Sequence, residues 1–206
     1  MNIEQKTTIL SALFIGALVA ANLMGTKIAD FGIFIASTGI LAFPITFLVT
    51  DIIEEVHGRE RAQSLVNAGI ISLVFVLIIT AIAVYLPSAA RDFFPAEYTK
   101  VFSASLRIFI ASIIAFGISQ THDVWAFNFW KKKTNGKYLW LRNNASTLVS
   151  QLIDTTIFMF IAFYGVTPYA GVAFITALII PYWIVKVLFA ALDTPFCYLG
   201  VKWLKK

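Results

Sequence analysis

Runs of apolar residues fall at about 7–26, 40–57, 63–86, 102–128, 143–163 and 171–200. A helix crosses the bilayer's hydrocarbon core with ~20 residues, so each run reads as one crossing. The pattern predicts an all-α membrane protein, a bundle of six transmembrane helices in a single domain over 1–206. Two stretches fit the pattern less simply. Residues 27–40 (KIADFGIFIASTGI) carry glycines and read as an outer hairpin or a re-entrant piece. The last run contains Pro181 and Pro195, and proline removes a backbone donor, which leaves open a separate short helix over 171–180. The stretch 87–101, with Pro87, Pro95 and four charged residues, reads as an exposed loop.

Charge orients this bundle. Lys6, Arg59, Arg61, Lys131, Lys132, Lys133, Lys137, Arg142, Lys202, Lys205 and Lys206 fall on one side, and Lys27, Arg91 and Lys100 on the other. The positive-inside rule then places both termini in the cytoplasm. Composition agrees: 59% of residues are hydrophobic and 13% charged, with mean hydropathy +0.83. A soluble domain carries roughly a quarter charged residues. The net charge of +5 sits in short clusters between apolar runs, a membrane pattern rather than a nucleic-acid footprint. A cleaved signal peptide is disfavoured, because the remaining chain is itself membrane-spanning. The single cysteine, Cys197, provides no disulfide framework and no metal-ligand pair. No cofactor is implied.

Polar residues inside the runs carry the functional signal. Asp51, Asp123 and Asp193 recur near the ends of three runs, each followed by a basic group at Arg59, Lys131 or Lys202. This suggests three repeated helical hairpins. At ~1.5 Å per residue, Asp51 and Asp123 lie ~12 Å from the basic boundary and Asp154 ~18 Å. Each such group costs about 2.5–3.5 kcal/mol to insert, so each should face the interior and find a partner. Asn144, Thr147, Gln151 and Asp154 form one helical stripe. Lys186 is the one basic residue deep in the last run, and its partner is Asp154, Asp123 or Asp51. The bland reading of that pair is a structural lock on helix register. Near Asp123, Trp125 and Phe127 could stack on a flat ligand, and the His122–Asp123 dipeptide could serve a metal or a proton relay. Asn22 interrupts the first run with both donor and acceptor. Small-residue ridges at Ala12, Gly16, Ala20 and at Ala17, Ala21, Gly25 suit close helix packing. Their bland use is internal packing. Sharper uses are a homodimer face or docking to another membrane subunit.

Four segments together bear a family resemblance: FPITFLVTDIIEEVHGRERA (43–62), SQTHDVWAFNFWKK (119–132), WLRNNASTLVSQLIDTTIF (140–158) and KVLFAALDTPFCYLGVKWL (186–204). They resemble the YhhQ family of bacterial queuosine-precursor transporters, within the vitamin uptake transporter group. The matching positions are Phe43, Pro44, Thr50, Asp51, Glu55 and Gly58; Gln120, Asp123 and Phe127; Arg142, Asn143, Ser146, Thr147, Gln151 and Asp154; and Lys186, Thr194, Pro195 and Tyr198. Family members often carry Tyr at the position of His57 and Gly at that of Ser119. Glu54 and Asp193 fall outside the pattern. The resemblance implies import of 7-cyano-7-deazaguanine and its aminomethyl relative across the bacterial inner membrane.

The residues suit such a solute. A guanine-like edge presents two adjacent N–H donors and a carbonyl. Carboxylates can accept the donors, Gln, Asn or Lys can donate to the carbonyl, and aromatics can stack on the ring at ~1–3 kcal/mol. The expected binding set is Asn22, Asp51, Glu55, Gln120, Asp123, Trp125, Phe127, Asn143, Gln151, Asp154 and Lys186. No GxxxxGK[ST] motif is present, so transport by this chain alone would be facilitated or proton-coupled. The alternative is the substrate-binding component of an energy-coupling-factor vitamin transporter. A metal-dependent intramembrane enzyme built on Asp51, Glu54 or Glu55 and His57 lacks a tight ligand motif, and a purely structural role leaves the deep acids unexplained.

Overall fold

The computed structural model describes residues 1–32, 35–166, 168 and 170–205. Six α-helices make up most of it: α1 (Ile3–Met24), α2 (Phe43–His57), α3 (Arg59–Tyr85), α4 (Pro95–Lys133), α5 (Leu139–Phe163) and α6 (Val172–Lys205). A small antiparallel hairpin, β1 (Ile28–Asp30) with β2 (Ile35–Ser37), and a 3-10 turn (Thr38–Leu41) separate α1 from α2. Five of the helices are long and apolar enough to cross a bilayer, and α2 is the exception. Its 15 residues extend only ~22 Å.

Local chemistry explains the boundaries. Asn2 and Gln5 exchange hydrogen bonds in a capping box that opens α1. Its far end is closed by the Thr38 hydroxyl, which donates to Met24 O at 2.7 Å, and by Ser37, which donates to Gly25 O at 2.8 Å. These bonds answer carbonyls that a helix C-terminus leaves unpaired. The segment 27–40 is thus an antiparallel hairpin followed by a 3-10 turn, and its residues 33 and 34 lie outside the described set. Pro44 and Pro95 sit in the first turns of α2 and α4, where proline's missing N–H costs nothing.

Two expectations are corrected. Helix α4 begins at Pro95, so the exposed connection ends earlier than 101; Glu97 in that first turn complements the helix dipole. Helix α6 runs unbroken through Pro181 and Pro195, so 171–180 is not a separate helix. A membrane helix tolerates such prolines where neighbours resupply the backbone.

Helix α2 lies at the centre, touching α1, α3, α4 and α6. Phe14 and Leu18, Val49, Ile52 and Ile53, Val66 and Leu73, Phe116 and Phe127, and Leu204 form the main apolar core. Met159, Ile175 and Ile179 form a second cluster between α5 and α6. The two small-residue ridges of α1 separate: Ala17 and Ala21 are buried, whereas Ala12 and Gly16 are exposed. Gly39 packs so closely that a Cβ there would stand 2.5 Å from Ala21 O.

Basic groups gather at one end. Lys6 donates to Trp203 O at 2.9 Å and lies over its ring. Glu55 accepts from Arg142 at 2.6 Å and Lys131 at 3.0 Å, with Lys205 at 4.0 Å. The Arg142 guanidinium also donates to Gly136 O and Lys137 O, clamping the α4–α5 turn. Arg107, unassigned from sequence, donates to Ile161 O and Tyr164 O and so caps α5. Lys206, counted among the basic residues of this end, lies outside the described residues.

A single residue, Gly58, joins α2 to α3, at φ +88° and ψ 174°. That region is open almost only to glycine. Gly58→Ala is expected to cost about 1–3 kcal/mol, read as a lower thermal unfolding midpoint in detergent. An unchanged midpoint would show that the turn relaxes freely.

Candidate functional site

The polar residues of α2, α4, α5 and α6 collect in the interior for a periodic reason. Thr46, Thr50 and Glu54 recur at helical spacing on α2, and Thr147, Gln151 and Asp154 on α5; all six are buried. The contacts divide them into an outer cavity, an inner carboxyl pair and the Glu55 ion cluster at the basic end.

The outer cavity, about 80 Å³, is lined by α1, the 3-10 turn and helices α2, α4, α5 and α6. Its polar wall comprises Asn22, Ser37, Ser112, Asp154, Thr155, Tyr182 and Lys186, and its aromatic wall includes Phe43, Phe116 and Phe158. Asp154 carries the main electrostatic contact: Lys186 Nζ donates to Oδ2 at 2.6 Å, and Ser119 to Oδ1 at 3.2 Å. The side chains of Lys186 and Asp154 are 13% and 5% exposed. Lys186 Nζ also lies 4.2 Å from the Phe43 ring centroid. Asp154 is therefore the partner that the sequence left open among three acids. Beside the pair, Asn22 Nδ2 is spent on Leu18 O, while Asn22 Oδ1 and Thr155 Oγ1 are buried without a partner. A ligand offering two N–H donors would satisfy both.

A second space of about 10 Å³ shares Lys186, Phe43 and Ile40 with the first and adds Phe47, Thr147, Gln151 and Asp193. It has room for about one water. The Lys186–Phe43 contact thus forms the partition between an outer and an inner space.

Towards the basic end, Asp51 and Asp123 are neighbours between α2 and α4. Ser146, Thr147 and Ser150 of α5 surround Asp123, yet neither of its oxygens has a hydrogen-bond partner of good geometry. Gln120 donates to Thr50 Oγ1 at 2.6 Å. Among the described residues no three His, Cys, Asp or Glu converge as metal ligands.

The expected binding residues therefore disperse. Asn22, Asp154 and Lys186 meet in the outer cavity; Gln151 lines the small inner space; Asp51, Gln120 and Asp123 form the carboxyl cluster. Glu55 belongs to the ion cluster, and Asn143 is buried beside Arg142 on α5 with Oδ1 unpartnered. Trp125 was expected to stack on a ligand but is 49% exposed and packs on Phe129. It lies two residues, roughly 200°, around α4 from Asp123, so it faces outward. Phe127 is buried but lies under the Arg142 guanidinium, away from both spaces. His122 bonds Ser150 at 2.9 Å through Nδ1.

Sequence reading missed Thr155 and Tyr182. Both carried a signal: Thr155 is one turn beyond Gln151, and Tyr182 one turn before Lys186, on faces already marked as polar. Ser37 and Gly39 carried none, because an irregular segment has no period to read.

The family described as "Putative vitamin uptake transporter" matches residues 37–200. A protein of Bacillus subtilis named "Probable queuosine precursor transporter" is 31% identical over 74% of this chain and 67% of its own length. The "Queuosine precursor transporter" of Escherichia coli is 31% identical over 61% of this chain and 54% of its own. A "Probable queuosine precursor transporter" of Haemophilus influenzae is 30% identical, over 64% and 53%. The chain thus spans two thirds of the first relative and just over half of the other two. These relatives are named as transporters, not as enzymes. No solved structure matches.

Lys186→Ala leaves Asp154 buried with one hydroxyl donor and is expected to destabilise by about 3–5 kcal/mol. Replacing both partners, Asp154→Leu with Lys186→Met, should recover most of that loss. Thermal unfolding in detergent measures both. Full stability of the single variant would remove the pair as a structural element.

Proposed function

The chain belongs to the vitamin uptake transporter family, in its queuosine-precursor branch, and from that premise we propose that it imports a deazaguanine base through the outer cavity. The observation that carries this reading is the chemistry of the cavity wall. Asn22 Oδ1 and Thr155 Oγ1 are unpartnered, Lys186 and Asp154 stand beside them, and Phe43, Phe116 and Phe158 offer ring faces. A 7-deazaguanine ring presents adjacent N–H donors, one carbonyl and two flat faces, and so complements each feature. Substrates of this form are 7-cyano-7-deazaguanine and 7-aminomethyl-7-deazaguanine.

The cavity is smaller than the roughly 300–1,000 Å³ of drug-sized ligand sites, so the base enters as the walls part. In the proposed orientation the five long helices cross the bacterial inner membrane, the shorter α2 and the segment before it together make the sixth pass, both termini are cytoplasmic, and the hairpin faces outward. The Glu55 cluster then closes the cytoplasmic end, while the cavity lies in the outer half. Alternating access consists of opening the Lys186–Phe43 partition and then the Glu55 cluster. The chain carries no ATP-binding motif, and transport is facilitated or proton-coupled. The exposed Ala12–Gly16 ridge favours one second reading, in which α1 docks a coupling subunit of an energy-coupling-factor complex. Co-purification with such a subunit and its ATPase would establish that reading.

Proteoliposomes containing only this protein should accumulate labelled base above empty vesicles. Asn22→Ala and Asp154→Asn should each weaken uptake roughly tenfold, the value of a hydrogen bond to a buried group, while folded protein is retained. Absence of uptake by the wild type would sink autonomous import. Wild-type uptake in both variants would move the site elsewhere.

A further inference from the structure

The buried charges of this bundle do not balance. The basic side chains packed against the bundle are each spent, beginning with Lys6 on Trp203 O. Arg107 caps α5, Lys131 and Arg142 hold Glu55, and Lys186 holds Asp154. Asp51 and Asp123 are 2% and 0% exposed, and among the described residues neither forms an ion pair with a Lys or Arg. The groups that face Asp51 are Asp123 itself, Glu54 on the same helix and Asp193 on α6, with the Cys197 thiol of α6 beside it. Lys131 and Arg59 face Glu54, one turn nearer the basic end.

Apart from Thr147 of α5, which stands beside Asp123, the hydroxyls around the pair are already committed. Thr50 donates its hydroxyl to Thr46 O and Phe47 O. Ser146 donates to Asn143 O and Ser150 to Ser146 O. Ser150 has given its one hydrogen, so it accepts from His122 Nδ1–H. Gln120 spends its amide on Thr50, and its Oε1, fully buried, is a further acceptor without a partner. Both Asp123 oxygens are in the same position. Two buried carboxyl groups side by side, with no ion-pair partner among the described residues, are incomplete as charges, since a buried charge needs a partner.

We propose that Asp51 and Asp123 form a proton-binding site, distinct from the outer cavity, that couples proton entry to movement of the base. The reading rests on the import function proposed above. The proton comes from water on the outer side, is shared by the two carboxyl groups, and leaves to water on the inner side; no bond of the base changes. Adjacent residues of α4 join the two sites: Ser119 donates to Asp154 at the cavity, and Gln120 donates to Thr50 next to Asp51. A shift of α4 that follows base binding therefore moves both.

Two measurements test this. The first is infrared difference spectroscopy of the lipid-reconstituted protein without base. It should show a protonated carboxyl C=O band at neutral pH that shifts in deuterium oxide. The band should change in Asp51→Asn and in Asp123→Asn, and persist in Asp193→Asn. The second is base uptake under an inward proton gradient. The wild type should accumulate base up to about tenfold per pH unit for one proton per base. Asp123→Asn should still exchange base by counterflow but show no gradient-driven accumulation. A missing band, a band indifferent to both substitutions, or gradient-driven accumulation retained in Asp123→Asn overturns the proposal. Loss of counterflow in folded Asp123→Asn also overturns it, by placing the residue in the base site. A wild type that shows the band but moves no deazaguanine base sinks the substrate assignment alone and leaves the proton site standing.

Discussion

The pairing of Lys186 with Asp154 is the contact on which the interior is arranged. Among the described residues it is the one ion pair away from the Glu55 cluster. It joins α5 to α6, and through the Phe43 ring it reaches α2. Without it, two charged side chains would stand in a low-dielectric interior, and the cavity would lose its floor. The aromatic contact also fixes where the lysine head sits, and so which of the two spaces it closes. Under the proposed function, structure and selectivity rest on the same atoms. A ligand that reached Asp154 would have to compete with Lys186, which restricts entry to solutes that can replace an ammonium group's hydrogen bonds.

Much of this was legible in the sequence. The long helices followed from apolar length, and the buried stripe of α5 from period alone. The cost of charge in lipid required Lys186 to find an acid. Sequence could not choose among Asp51, Asp123 and Asp154, because helix rotation and relative depth decide that, and both depend on packing. Trp125 shows the opposite limit. Nearness in sequence to Asp123 suggested a shared site, but a separation of two residues on a helix points the side chains apart. The proline positions of α6 misled for a related reason: a breaker in water is tolerated where surrounding helices hold the backbone.

The segment between α1 and α2 was the least readable and among the most consequential. Its hairpin and 3-10 turn close the end of α1 through Ser37 and Thr38 and line the cavity through Ser37, Gly39 and Ile40. Gly39 permits this by lying against the α1 backbone, where any side chain would collide.

Helix α2 is held very differently from its neighbours. It is short, it begins after an irregular segment, and it ends at the single residue Gly58. The long helices cannot tilt without dragging their full length through lipid. A rod of about four turns, hinged at Gly58 and tied to α1 through the segment before it, would need only to rock inside the ring they form for the proposed transport. The side chains it carries belong to all three polar centres: Phe43 in the partition, Asp51 in the carboxyl pair and Glu55 in the basic cluster. One small rotation would alter all three together, as a single lever works several latches. In the proposed transport cycle the protein would act as a stiff cage around one moving part.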